Sequence, residues 1–173
     1  MRLSKLAAGL VVAVLAFGEI GFRGPGLYEI MNKKTQRMMA LDRDGTSVIQ
    51  IVSHSQEDQR WVVEPAPGGA FFIRSAVNGH ALEITNNANS APVVCARFDG
   101  SPAQQWRMEP ASDGNPFVAS VAGGRVLDIP NGSNKEGLRV QIYGKDGDAN
   151  QQFVFNFITE PPERDRARRA AWR

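Results

Sequence analysis

Cysteine is nearly missing from this chain of 173 residues: Cys95 stands alone. One thiol excludes an intrachain disulfide framework and any cysteine-based zinc cluster. Histidine is almost as scarce, with only His54 and His80. A Ser-His-Asp or Cys-His arrangement has no visible partners, and no Gly-x-Ser-x-Gly element is present. A net charge of +2 is too small to argue for nucleic acid or an acidic membrane surface as a partner. No window between residues 26 and 158 keeps a helical apolar period. The long apolar run that does occur, Leu6 to Phe17, falls short of the roughly 20 residues of a membrane span. Arg2 and Lys5 precede it and Ala16-Phe17-Gly18 closes it, so residues 1–18 read as a secretory signal cleaved after Gly18. That implies a secreted, extracellular or periplasmic protein without stable membrane insertion; an uncleaved anchor is the minority reading. An exported chain with one unpaired thiol also implies that Cys95 is buried.

What is abundant is turn chemistry. Seventeen glycines, ten prolines and many asparagines favour numerous short strands. The chain also repeats itself. Gln59-Arg60-Trp61, Gln104-Gln105-Trp106 and Gln151-Gln152-Phe153 share the form Gln-x-aromatic, at intervals of 45 (59 to 104) and 47 (104 to 151). Ala40-Leu41-Asp42, Ala81-Leu82-Glu83-Ile84 and Val126-Leu127-Asp128-Ile129 precede the three motifs, and an apolar segment precedes each of these (27–31, 71–77 and 117–121). Trp61-Val62-Val63-Glu64-Pro65 and Trp106-Arg107-Met108-Glu109-Pro110 are near copies.

Within each copy the period is two: Phe153, Phe155 and Phe157 fall on one face of a strand. Asn78-Gly79 and Gly123-Gly124 supply hairpin turns in copies two and three. The matching Asn32-Lys33-Lys34 lacks glycine, which predicts a longer turn in copy one. A copy of about four short strands cannot bury its own apolar face, so the three must share one core. The expectation is an all-β, closed, pseudo-threefold barrel over 19–158, with repeats of about 26–69, 70–115 and 116–158. The rest, 159–173, is a polar tail with five arginines between Glu163 and Arg173, read as a frayed, solvated end.

The Gln-x-Trp repeats, the Leu-Asp-Ile elements and the 45-residue period resemble the ricin-type (R-type) β-trefoil lectins, over residues 24 to 158. The resemblance implies a β-trefoil that binds glycans or glycoconjugates, of galactose type, with no cofactor and no catalysis. It places the aromatics of the Gln-x-aromatic motifs in the core, which their place at the head of alternating strands also favours. It places the sugar site inside one repeat. In the third copy that site maps onto Asp128, Gln141, Tyr143, Asn150 and Gln151. Asp128 would accept hydrogens from two adjacent hydroxyls, Asn150 would bond one of them, and Tyr143 would stack on the apolar face of the ring. Gln141 would touch the rim and Gln151 would orient Asp128.

Copy two puts Glu83, Cys95, Arg97 and Ala103 at these positions and reads as silent. Copy one keeps Asp42, Gln50 and Gln59, a second and weaker candidate site, with Val52 where the aromatic belongs. Asp146-Gly147-Asp148-Ala149-Asn150 starts like a calcium loop, but Gln151 and Phe157 stand where glycine and glutamate are required, so no metal is expected. Asn131-Gly132-Ser133 is a glycosylation sequon. One shallow site implies micromolar to millimolar binding, about 4 to 8 kcal/mol, and oligomerisation is left open. The competing reading is a protein-binding or inhibitory trefoil with relic lectin residues.

Overall fold

The computed structural model describes residues 21–159. The expected signal segment, and the tail from residue 160 onward, lie outside the described residues. Thirteen short strands form the structure. The first repeat holds β1 (Gly26–Asn32), β2 (Met38–Leu41), β3 (Val48–Ile51) and β4 (Arg60–Pro65). The second holds β5 (Phe71–Ser75), β6 (Ala81–Ile84), β7 (Ala91–Ala96) and β8 (Trp106–Pro110). The third holds β9 (Pro116–Ser120), β10 (Val126–Asp128), β11 (Leu138–Arg139), β12 (Gln141–Tyr143) and β13 (Phe153–Thr159).

Outer strands of each repeat close the barrel. β1 pairs with β4, β4 with β5, β5 with β8 and β8 with β9, while β13 returns to pair with β1. A bridge between Phe117 and Gln152 links β9 to the start of β13. The inner pairs β2–β3, β6–β7 and β10–β12 are hairpins joined to one another through β7–β12, β11–β3 and a Ser47–Val94 bridge. Alternation drives this arrangement: β1 and β7 bury every second residue. Those buried faces merge into one core containing Trp61, Trp106 and Phe153, each fully buried. The indole Nε1 of Trp61 donates to the Met39 carbonyl and that of Trp106 to the Leu82 carbonyl, both at 2.9 Å. The three motif aromatics are therefore scaffold. Cys95 is buried, and burial pushes its thiol up to about 12.

The connection after β1 is not the longer turn that its lack of glycine predicted. Residues 33–37, 76–80 and 121–125 are equal in length, and each closes with the same pair of backbone bonds. Gln36, Gly79 and Gly124 donate to the carbonyls of Asn32, Ser75 and Ser120, whose own amides donate to Arg37, His80 and Arg125. All three donors have left-handed φ, +57°, +71° and +72°. Gln36 takes the glycine role, and its side-chain amide donates 2.6 Å to the Lys33 carbonyl. A polar side chain that bonds its own turn offsets part of the left-handed cost.

Candidate functional site

Asp128 ends β10 and pairs across the hairpin with Gln141, the first residue of β12. Its carboxylate is almost fully buried, at 3% exposure. Three amides hold it: Gln141 Nε2 donates 2.7 Å to Oδ1, and Asn150 Nδ2 (2.8 Å) and Gln151 Nε2 (3.2 Å) donate to Oδ2. No cation pairs with it within 4 Å among the described residues. Burial therefore dominates and raises its pKa, the Gln141 and Gln151 bonds oppose the rise, and the nearby charge of Asp146 adds to it. Asn150 is itself fixed, because its carbonyl accepts from Ile129 N and Asn32 Nδ2.

Asp128 forms the floor of a cavity of about 450 Å³. Gln141, Tyr143 and Asn150 line it too, so four of the five residues read from the third copy share one pocket. Tyr143 is 39% exposed and presents its ring to solvent. Gln151 is fully buried and does not line the cavity. Besides Asp128 it bonds the Gly144 carbonyl and accepts from Asp146 N, which ties the following loop to the floor.

That clamp recurs in every repeat. Gln59 Nε2 donates to Val52 O and its Oε1 accepts from His54 N and Ser55 N. Gln104 Nε2 donates to Arg97 O and its Oε1 accepts from Asp99 N and Gly100 N. The glutamine of the motif is thus a loop clamp wherever it occurs.

The strand register also shows which residues are equivalent to Asp128. Counting four residues from the left-handed position of each turn gives Ala40, Glu83 and Asp128, each directly after, or in phase with, the residue whose carbonyl caps the core indole. The cross-strand partners of these three are Ile49, Val94 and Gln141. The platform position is then Ile51 in repeat one and Ala96 in repeat two, where sequence matching pointed to Val52 and Arg97.

Repeat one has no carboxylate at this position, and its three candidates are not brought together. Asp42 lies two residues further on, in the hairpin tip, and accepts from Arg43 N. Gln50 is buried and holds the third repeat instead, donating to Ser133 O (2.5 Å) and Lys135 O (2.9 Å) while accepting from Thr35 Oγ1. Gln59 serves only its own loop and His54. In repeat two, Glu83 accepts from Gln104 Nε2 at 2.7 Å, the counterpart of the Gln151–Asp128 bond, but no second amide and no ring join it.

Several cavity residues were not read from the sequence. Lys34 comes from the first-repeat turn, packed against Gly132, and Ser90 comes from the second-repeat hairpin. They belong to other repeats, so no within-repeat pattern points to them. Pro130 and Asn131 supply another wall, and Asp146 and Asp148 the remaining rim. Asp146 and Asp148 did carry a signal, the aborted calcium-loop pattern. Among the described residues no group of three acidic, imidazole or thiol side chains is placed to hold a metal ion.

The family model for the ricin-type beta-trefoil lectin domain matches residues 26–155. The chain belongs to this family. Solved structures agree on the β-trefoil fold. The designed threefold-symmetric protein ThreeFoil superposes with a TM-score of 0.74 at 24% identity, covering 77% of this chain and 99% of that one. The Macrolepiota procera ricin B-like lectin, solved with lactose, gives 0.71 at 22% identity over 79% of this chain and 99% of its own. An exo-beta-1,3-galactanase from Clostridium thermocellum gives 0.72 at 19% identity, over 77% of this chain and 30% of the galactanase. Among curated proteins none matches the chain.

Proposed function

We propose that the protein is a secreted lectin that binds carbohydrate through one site, in its third repeat, and catalyses nothing. The observation that carries this reading is Asp128, buried without a cation, held by three amides and floored beneath an exposed aromatic ring. A carboxylate so oriented costs solvation that the fold does not need, since repeat one does without it at Ala40. An ionised carboxylate offers about four lone-pair sites. Three are occupied, so Oδ1 keeps one for a sugar hydroxyl, and a second hydroxyl is accepted when Gln141 swings its amide onto that sugar. Tyr143 gives the ring an apolar face to stack on, while Asn150 Nδ2 gives its two hydrogens to Asp128 Oδ2 and to the Ile129 carbonyl (3.2 Å) and so holds the carboxylate in place.

The family and the lactose complex of the Macrolepiota procera lectin support a galactose-type sugar. A single exposed pocket implies weak monovalent binding, in the micromolar to millimolar range of about 4 to 8 kcal/mol, with avidity gained on clustered glycans.

A glycan array of wild type beside Asp128→Ala tests the reading. Binding by wild type that disappears in the variant is the expected result. Silence from both proteins would sink the lectin function and leave a protein-binding trefoil, and release of reducing sugar would make the protein an enzyme.

A further inference from the structure

The lectin pocket is charged as well as polar. Asp146 and Asp148 stand on its rim, on the loop between β12 and β13, and both are exposed. With Asp128 they make three carboxylates facing a cavity to which one cation, Lys34, contributes. Three other cations, Lys145, Lys33 and Arg139, are engaged elsewhere. Lys145, between Tyr143 and Asp146 in sequence, turns its ammonium to Glu109 at 2.8 Å and lies 4.5 Å over the Phe117 ring. Lys33 bonds Asp113 and Gln152, and Arg139 bonds Ser47. No salt bridge of Asp146 or Asp148 forms among the described residues. Their loop is fixed in place all the same: Gln151 Oε1 accepts from Asp146 N, Asp146 Oδ1 accepts from Asp148 N at 2.9 Å, and Gln151 N donates to Asp148 O.

Resting on the lectin reading, we infer that Asp146 and Asp148 make this pocket select sugars carrying a protonated amine over their neutral parents, and exclude sugars carrying a carboxylate. A hexose filling the cavity above Asp128 brings its substituents to a rim that has two uncompensated negative charges. An ammonium there gains attraction, and a uronate meets like charges. A neutral sugar feels neither. Such selectivity falls as salt rises, because the rim carboxylates are exposed. Lys34 does not cancel these carboxylates, since it is one charge against three.

The test is a titration of the whole protein with two matched triads: galactosamine, galactose and galacturonate, and glucosamine, glucose and glucuronate. It is run at neutral pH in low salt, then in about 0.5 M salt, where the screening length drops below that of physiological salt. The expected order within the preferred triad is amine, neutral, uronate, with about tenfold between the ends in low salt, as two exposed charge interactions allow. The spread should shrink in high salt. The double variant Asp146→Asn, Asp148→Asn should bring the three members close together. A uronate that binds as well as its neutral parent would overturn the inference and leave the lectin reading standing, as would an unchanged order in the double variant. Absence of binding by every member overturns both.

Discussion

Asp128 and Tyr143 divide the work of the pocket, and each can be tested alone. Tyr143 is exposed and takes no part in the core, so Tyr143→Ala should leave the unfolding transition nearly unchanged. The same change should weaken sugar binding by about 1 kcal/mol, roughly fivefold in Kd, the worth of a stacked ring. Asp128 instead links binding to pH. Its pKa is raised, chiefly by burial. Hydroxyls donate to the ionised form, so affinity should fall as pH drops, with a midpoint above the ordinary value of about 3.9. The stability sign runs the other way. A raised carboxylate pKa means that the folded state holds the proton more tightly, so this group favours folding below its unfolded pKa and loses that contribution as pH rises through the folded one. Denaturation of Asp128→Asn against wild type should therefore shift in favour of the variant as pH rises above the ordinary carboxylate value of about 3.9. Cys95, with its thiol pushed up to about 12 inside the core, should resist a thiol reagent in the native protein and react only on unfolding. Rapid modification of the folded chain would contradict its placement.

The hairpins are the elements that make one repeat differ from another. In all three, a turn with one left-handed residue leads into the strand that carries Ala40, Glu83 or Asp128. Gly124 holds that conformation with nothing within 4 Å of a would-be Cβ, so Gly124→Ala isolates the backbone term. Chemical denaturation should show a loss of about 1 kcal/mol, the left-handed penalty of a residue with a side chain. The opposite exchange, Gln36→Gly, should cost far less. This element was also the hardest to read in sequence. The Gln-x-aromatic motifs were plain because each glutamine must clamp a loop and each aromatic must fill the core. By contrast β2, Met38–Leu41, buries all four residues, so it lacks the alternation that would fix its phase. The shared Ala-Leu-acid pattern sets Leu41 beside Leu82, and so puts Asp42 in the place that the strand register gives to Ala40. In the third repeat the chemistry itself set the register, because the Asp128–Gln141 pair sits across one hairpin. Lys34 and Ser90 were invisible for another reason: they reach the pocket only once the repeats have packed.

At the scale of the molecule, three similar repeats build one barrel, and among the described residues only the third brings a carboxylate, two amides and a tyrosine to one cavity. The stretch between equivalent core residues at the hairpin tip lengthens from 42–47 through 85–92 to 130–139, following the register. The longest tip carries Pro130 and Asn131 to the wall of the cavity. Repeat one then stabilises that tip: Gln50 bonds the carbonyls of Ser133 and Lys135, and β3 pairs with β11. A repeat with no carboxylate at the position of Asp128 thus supports the tip that walls the cavity. Isothermal titration of the preferred sugar against wild type and Asp128→Asn measures this directly. The account predicts one sugar per chain for wild type and no measurable heat for the variant, with the variant still folded by circular dichroism. Two or three sugars per chain, or a folded variant that binds like wild type, would contradict it.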